Sequence, residues 1–379
     1  MDGAGALPPG PDRRGPSAGP VLDRVRRRAS AELAPLADRV DREGLYPAAV
    51  LAGFGADGAY AAHLAARTPL ARPDLAAAIA AMTAIGAECM SAAFCAWCQD
   101  ACGWYLENTD NAALRDGLQP GIADGTQMGG TGLSNPVKAL SGIEPFNLRG
   151  TKVPGGWRVT GVLPWVSNLG ESHLFGTIFE NAADPSHRVM AMLRCGAPGV
   201  TIKQSAHFVA LEGTGTYAVR LKDAFVPEGD LLADPLGDMA RRIRPGFVLL
   251  QTGMGFGVIE GSVALMRGAT GGSGSSNRFL PDGPDETEDR AAALWETVAA
   301  LAATPHDPSP DYLRRVLEAR LAVSELTLAA TQSAVLHAGA RGYLTGAAVH
   351  RRQREGVFVA IITPSVRHLR QELAGMARN

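Results

Sequence analysis

Two short polar segments stand out from an alanine-rich, largely apolar chain because of what their residue types can do. The first is Leu133-Ser134-Asn135-Pro136, entered through the small-residue turn Gly129-Gly130-Thr131-Gly132. The second, about thirty residues later, is Trp165-Val166-Ser167-Asn168. A hydroxyl and backbone N–H groups in a glycine-rich turn can donate hydrogen bonds to the polar edge of a flat ring, and an indole gives that ring an apolar wall. The same residues also suit structural work, with Ser134 and Asn135 capping a turn before Pro136 and Trp165 sitting in a core. A third segment near the C-terminus, Ile361-Ile362-Thr363-Pro364-Ser365, brings two hydroxyls and no titratable group.

The cysteines invite a metal reading and do not sustain it. Cys89, Cys95, Cys98 and Cys102 cluster within one apolar stretch, and the fifth, Cys195, stands alone. The spacing superficially suits an iron–sulfur or zinc site. No glycine or proline loop folds those sulfurs inward, however, and on a helix Cys95, Cys98 and Cys102 share one face. They read as small core residues, with no metal site expected.

The elements that must position these groups follow from periodicity. Residues 1–20 form a Gly/Pro-rich leader. Val21 to Arg42 is an amphipathic helix, Leu45 to Ala66 two short helices broken at Gly53 and Gly55, and Pro73 to about Glu107 one long apolar helix. Trp157, Val159, Gly161 and Leu163 then alternate with polar neighbours, as in a half-buried strand. Strands are expected at 174–179, 189–193, 200–203 and 216–221, with a last one at 224–227. Helices return near 245–267, 290–303 and 311–339, and the apolar run before Thr363 reads as β-like. The glycines at 253, 255 and 257 suit close helix packing better than a dinucleotide fingerprint. The domain reading is a leader (1–20), a helical domain (21–123), a β domain (124–232) and a helical bundle domain (233–379).

Composition fits that plan. Hydrophobic residues make up 46%, charged residues 20% and aromatics 6% of the 379 positions, an ordinary globular balance. A net charge of −2 gives no reason to expect nucleic acid or an anionic membrane as partner. No continuous apolar run of about 18 residues points to a transmembrane span. The N-terminus lacks the apolar core of a signal peptide, so a cytoplasmic protein with reduced thiols is expected.

Order and local matches together resemble the acyl-CoA dehydrogenase family of flavoproteins over roughly residues 20–379. Leu133-Ser134-Asn135-Pro136 and Trp165-Val166-Ser167-Asn168 occupy the places of that family's Val-Thr-Glu-Pro-like and Trp-Ile-Thr-Asn-like segments. Gly342-Tyr343 followed by Arg351, Arg354 and Glu355 falls where the family has Gly-Tyr and a charged helix. The resemblance implies a mainly α fold with a central β-barrel-like domain (α + β + α), closed by a C-terminal four-helix bundle. It also implies bound FAD. The Leu133 backbone and Ser134 would address the flavin pyrimidine edge, Trp165 and Val166 would cover a ring face, and Ser167 would sit near N5. Thr363 and Ser365 would line the far side. A cofactor diphosphate clamp would fall near Arg278-Phe279, reaching a neighbouring subunit of a homodimer or homotetramer. Partners by resemblance are a small-molecule acyl substrate such as a CoA thioester and an electron-accepting flavoprotein or reductase.

The sequence departs from the family at the chemical step. Thr363 replaces the glutamate that removes the substrate α-proton, and the alternative base position falls at about Phe247. A threonine hydroxyl is far too weak a base at neutral pH. No base is identified: Glu88, on the apolar helix, is one substitute carboxylate and equally suits a helix surface, and Gln251 is a polar pocket residue. Glu260 lies about 20 Å beyond Phe247 along the same helix. Val137 to Ser141 replaces the usual Gly-Ser-Asp segment, which weakens the case for a CoA ester. His337 stands where a cofactor-binding glutamine belongs. Three functions are open: desaturation of the CH–CH group of an acyl thioester or related carbonyl compound, flavin-dependent monooxygenation on the same fold, and non-catalytic binding of an acyl group or partner. The monooxygenase asks for a His or Arg near the flavin, with His173, Arg367 and His368 available.

Overall fold

The computed structural model describes residues 19–269 and 276–378. The predicted leader and most of the Gly/Ser loop lie outside them. The chain opens with α1 (Pro20–Arg28), which runs through a π turn at Ala29–Leu33 and a tight turn at Ala34–Leu36 into α2 (Ala37–Arg42). α3 (Ala48–Ala56) passes through Gly53 and Gly55 without a break. α4 (Leu75–Glu88), α5 (Met90–Asn108) and α6 (Ala112–Asp124) complete the first helical block.

The single long helix expected over 73–107 is therefore two. Cys89 is extended (φ −153°, ψ 113°) and ends α4. The carbonyls that α4 leaves unpaired at its C-terminus are taken up from the other end of the sequence. Arg352 donates to Gly86 O (2.9 Å) and to Ala87 O, and Arg351 donates to Glu88 O (3.0 Å). Glu355 is buried between the two guanidiniums, 2.9 Å from each. Cations at the negative end of a helix dipole stabilise it.

An eight-stranded mixed sheet comes next: β1 (Gly129–Thr131), β2 (Leu148–Val153), β3 (Gly156–Val166), β4 (Leu174–Asn181), β5 (Arg188–Arg194), β6 (Val200–Lys203), β7 (Tyr217–Pro227) and β8 (Leu231–Ala233). Its path is β6-β7-β3-β2-β4-β5-β8, with β1 added parallel to β4. The path is open, ending on β6 and β8. Trp157, Val159, Leu163 and Val166 point into a core shared with Phe175, Phe179, Val219 and Leu221. The segment 224–227 is the end of β7, not a strand of its own. Between β1 and β2 the predicted turn at 133–136 opens a short helix, α7 (Ser134–Leu140).

The C-terminal bundle contains α8 (Met239–Leu250), α9 (Thr252–Gly268), α10 (Pro284–Ala302), α11 (Pro310–Ala338), α12 (Ala348–Ile361) and α13 (Val366–Met376). The apolar run expected to be β-like is the end of α12. Its Val359 and Ala360 are buried while Val357 and Ile361 stay exposed, a helical pattern. The stretch Met239–Gly268 is long and apolar enough to cross a membrane, but 83% of its apolar window is buried inside the protein, so it reads as a core helix pair.

The glycines of α9 have the packing role their spacing suggests. A Cβ on Gly257 would stand 2.6 Å from Gly86 Cα of α4, and one on Gly255 would stand 2.5 Å from a Val323 methyl of α11. The cysteines of α5 are free and buried, and among the described residues no three His, Cys, Asp or Glu groups are placed to hold a metal. Gly257→Ala is expected to lower stability by about 1–3 kcal/mol through overpacking against backbone, as read by denaturant titration.

Candidate functional site

Folding joins two of the segments that the sequence singled out. Ser134 Oγ, in the first turn of α7, lies 3.1 Å from Thr363 Oγ1, after the end of α12. Their separation in sequence is 229 residues, and the contact joins the β module to the bundle. Ser134 is exposed and Thr363 half-buried, so the hydroxyl pair opens to solvent. Leu133 beside it is buried (2% exposed), leaving only its backbone to face a ligand.

The second segment runs alongside. Thr131 bridges Ser167 in antiparallel register, which lays the 129–133 strand and turn against the end of β3. A Cβ on Gly130 would stand 2.4 Å from Ser167 O, so only glycine allows this approach. Trp165 projects from the sheet and is 59% exposed, touching Phe208 edge-on. Val166 is fully buried and pairs with Tyr217 of β7. Ser167 is buried and shares a 2.6 Å hydrogen bond with Thr216, so its hydroxyl is already engaged. Asn168 holds the corner at φ 61°, accepting from Tyr46 OH and donating to Gly129 O, each at 2.7 Å.

Behind Thr363 lies a buried polar chain. Gln251 sits between α8 and α9 and donates from Nε2 to Thr363 O (2.9 Å). Its Oε1 accepts from Arg320 Nε of α11 (2.9 Å). Arg320 is fully buried and also donates to Val359 O (2.7 Å) and to Ser324 Oγ. Burial lowers its pKa to about 10, which leaves it charged at neutral pH. Sequence reasoning missed Arg320. The signal was there, because Val316, Leu317, Val323 and Ser324, three and four residues to either side, are all buried.

Other expected site residues do not join this group. The Glu88 carbonyl is held by Arg351, near the start of α12. Thr363 lies past the other end of that helix, about 15 Å further along the axis. Glu88 is thus not placed as a base for Thr363's position. Arg278 is exposed with its guanidinium 4.7 Å from the Phe279 ring centre. Its neighbour Asn277 bonds His337 O at the end of α11, about 25 Å along that helix from Arg320. His337 is buried with Nδ1 against Ser333, a satisfied core histidine. Ser365 caps α13 by accepting from His368 N (3.3 Å). Phe247 is locked among Trp97 and Tyr105.

Of the three residues reserved for a monooxygenase, His173 is tied to Asn168 O (2.9 Å), and burial lowers its pKa. His368 is buried under the first turn of α13, 3.8 Å from Glu372. Arg367 is exposed.

The most perturbed acid–base pair lies elsewhere. His63 and Asp100 are buried 3.6 Å apart in the first helical block, and among the described residues neither His63 nitrogen nor Asp100 Oδ1 has a hydrogen-bond partner. Burial drives His63 down to about 3 and Asp100 well above the usual carboxylate range. Neutral His63 costs stability as pH falls below the unfolded value of 6.5. Protonated Asp100 costs stability as pH rises above its unfolded value of 3.8, until the folded value is passed. The two shifts oppose each other, His63 favouring higher pH and Asp100 lower pH, each by up to about tenfold in the folding constant per pH unit within its own window. Asp100→Asn is expected to remove the part of the stability loss that sets in as pH rises above 3.8, as read by urea titrations at stepped pH.

Comparison with known proteins bears on this geometry. Residues 20–126 match the sequence profile described as "Acyl-CoA dehydrogenase, N-terminal domain". None of the curated protein sequences compared with the chain matches it. Among solved structures, butyryl-CoA dehydrogenase from Megasphaera elsdenii superposes with a TM-score of 0.83 at 17% identity, over 95% of this chain and 97% of that one. A glutaryl-CoA dehydrogenase from Mycobacterium smegmatis, solved in complex with FADH2, gives 0.76 at 14% identity, over 94% and 93%. Dibenzothiophene monooxygenase from Paenibacillus sp. A11-2 gives 0.80 at 13% identity, over 93% and 96%. The three share one architecture with this chain: a helical N-terminal domain, a mixed β-sheet and a helical C-terminal region. Residues 20–126 thus match the N-terminal domain of the acyl-CoA dehydrogenase family, and the chain as a whole has the acyl-CoA dehydrogenase fold.

Asn168→Ala is expected to cost about 1–3 kcal/mol, because it strands the buried Gly129 carbonyl and the Tyr46 hydroxyl. Trp165→Ala, at a largely exposed position, is expected to stay within about 0.5 kcal/mol of the parent. Thermal melts of the two variants side by side check both.

Proposed function

We propose that the chain is an FAD-dependent oxidoreductase acting on a carbonyl compound at the Ser134–Thr363 opening. The observation that carries this reading is a solvent-facing pair of hydroxyls, drawn from two domains, with a largely exposed indole on the strand end that bridges to the adjoining turn. That set fits the group. Hydroxyls can donate to the polar edge of a ring that gains negative charge on reduction, the nearby carboxylates Glu144 and Glu372 are each paired with a cation, and Trp165 offers an apolar face. A bound flavin would supply a two-electron acceptor for the substrate.

The protein's own residues do the rest. Ser134 and Thr363 orient by hydrogen bonds and cannot serve as a base. Gln251 fixes the Thr363 carbonyl from the buried side. The missing carboxylate favours a substrate acidic enough to lose its proton without one. It also favours the second reading, a monooxygenase using reduced flavin and oxygen, to which the likeness to dibenzothiophene monooxygenase adds weight. In either reading we place the protein in the cytoplasm as a homodimer or homotetramer, with Arg278 directed to a neighbouring copy's cofactor and a flavoprotein or reductase as redox partner.

Purified protein is expected to be yellow or to become so on adding FAD. Trp165→Ala is expected to weaken FAD binding about tenfold or more, the scale of one lost stacking contact, without a change in melting temperature. Colourless protein that no added FAD converts would overturn the flavin reading. Reduction by substrate without oxygen marks the dehydrogenase; turnover only with a reductase and oxygen marks the monooxygenase.

A further inference from the structure

Two half-buried cations beside the opening each have a carboxylate against them. Lys138 of α7 lies 2.8 Å from Glu144, and Arg244 of α8 pairs with Glu372 of α13. Arg320 differs. It is fully buried, and among the described residues no carboxylate lies within ion-pair distance of it. Its guanidinium meets only neutral oxygens, those of Gln251, Val359 and Ser324. Burying a guanidinium without a counter-charge is costly.

The field of that charge has a defined direction. The Gln251 amide accepts from Arg320 at one end and donates to Thr363 O at the other, 2.9 Å at each contact. Two hydrogen bonds and one amide group span at most about 8 Å, through a buried region where charges are poorly screened. Ser134 and Thr363 at the opening are neutral, as is Gln251 buried behind them, and Glu88 lies at the other end of α12. Exposed Arg367 is screened by water. Among the described residues, Arg320 therefore brings a positive charge toward the opening that no carboxylate pairs with.

We propose that Arg320 is a positioning residue that selects a negatively charged substrate: a carbonyl compound bound as its anion, carboxylate or enolate, at the Ser134 and Thr363 hydroxyls. This names the substrate class of the site described above and rests on the flavin reading for the redox step after binding. The charge preference itself is measured without turnover. A substrate that arrives as its enolate has already lost the α-proton and needs no protein carboxylate to remove it, which makes sense of threonine at position 363.

The test titrates FAD-loaded protein with benzoate and with its neutral isostere benzamide, following flavin absorbance so that only ligands beside the ring are read. Benzoate is expected to bind about tenfold more tightly, a difference of about 1.4 kcal/mol. Arg320→Gln is expected to remove that preference with FAD still bound, and Arg320→Lys to keep it. A purely structural role would weaken both ligands alike and leave their ratio unchanged. Equal affinities in the parent protein, no benzoate binding, or an unchanged ratio in Arg320→Gln overturns the proposal. If Arg320→Gln does not fold, the ratios in the parent and in Arg320→Lys decide. Protein that takes up no FAD overturns the flavin reading instead, and calorimetric titration of the same two ligands into it still gives the ratio.

Discussion

Two glycines set how closely the helical blocks at either end of the chain approach. Gly86 of α4 and Gly257 of α9 meet backbone to backbone, leaving no room for a β-carbon. At ordinary side-chain spacing the two helices would stand several ångströms further apart. α9 leads back to Gln251, and Gln251 holds the Thr363 carbonyl. The same α4 is gripped at its C-terminus by the two arginines of α12, the helix that delivers Thr363. One close contact and one capping network thus fix the bundle against the rest of the fold, and the 3.1 Å meeting of Ser134 and Thr363 depends on both.

Charge is used differently at the two ends of α12. At its start, Arg351 and Arg352 share Glu355 and direct their remaining donors to helix-end carbonyls. This is a fully compensated network, and compensation is what makes buried ions tolerable. At its end, Arg320 donates to Val359 O and to an amide with no anion nearby. One arrangement is understandable as stabilisation alone, whereas the other leaves an electrostatic imbalance directed at a solvent opening. Perturbed groups are not in themselves a guide to function here, since the most shifted pair, His63 and Asp100, sits in the first helical block away from that opening.

Much of the architecture was legible in the sequence, because the β module changes the hydrophobic period from 3.6 to 2 over Trp157 to Leu163 and then returns. The errors cluster where period carries no information. Short apolar runs such as that before Thr363 read equally as strand or helix, and flanking exposure, invisible in sequence, decided for helix. The break at Cys89 depends on carbonyls being taken up by Arg351 and Arg352 from the far end of the chain. Ser134, Thr363 and Trp165 were nominated by residue type and resemblance, and the structure brings Ser134 and Thr363 together. Gln251 was seen as a polar pocket residue without its partners. Arg320 was overlooked because a charged residue in a helix is read first as a solvated one, and only its position on the buried stripe argues otherwise.

Asn168 carries a consequence of a mechanical kind. Its side chain ties Tyr46 of the first helical block to Gly129 of the sheet, and its carbonyl accepts from His173. The wall presented by Trp165 therefore moves with the first helical block and the sheet as one piece. By contrast, the side chains that line the Ser134–Thr363 opening cross it through a single hydroxyl–hydroxyl contact. The platform is held by contacts within the folded chain, so the ordering cost of the aromatic surface is met during folding and not on each binding event.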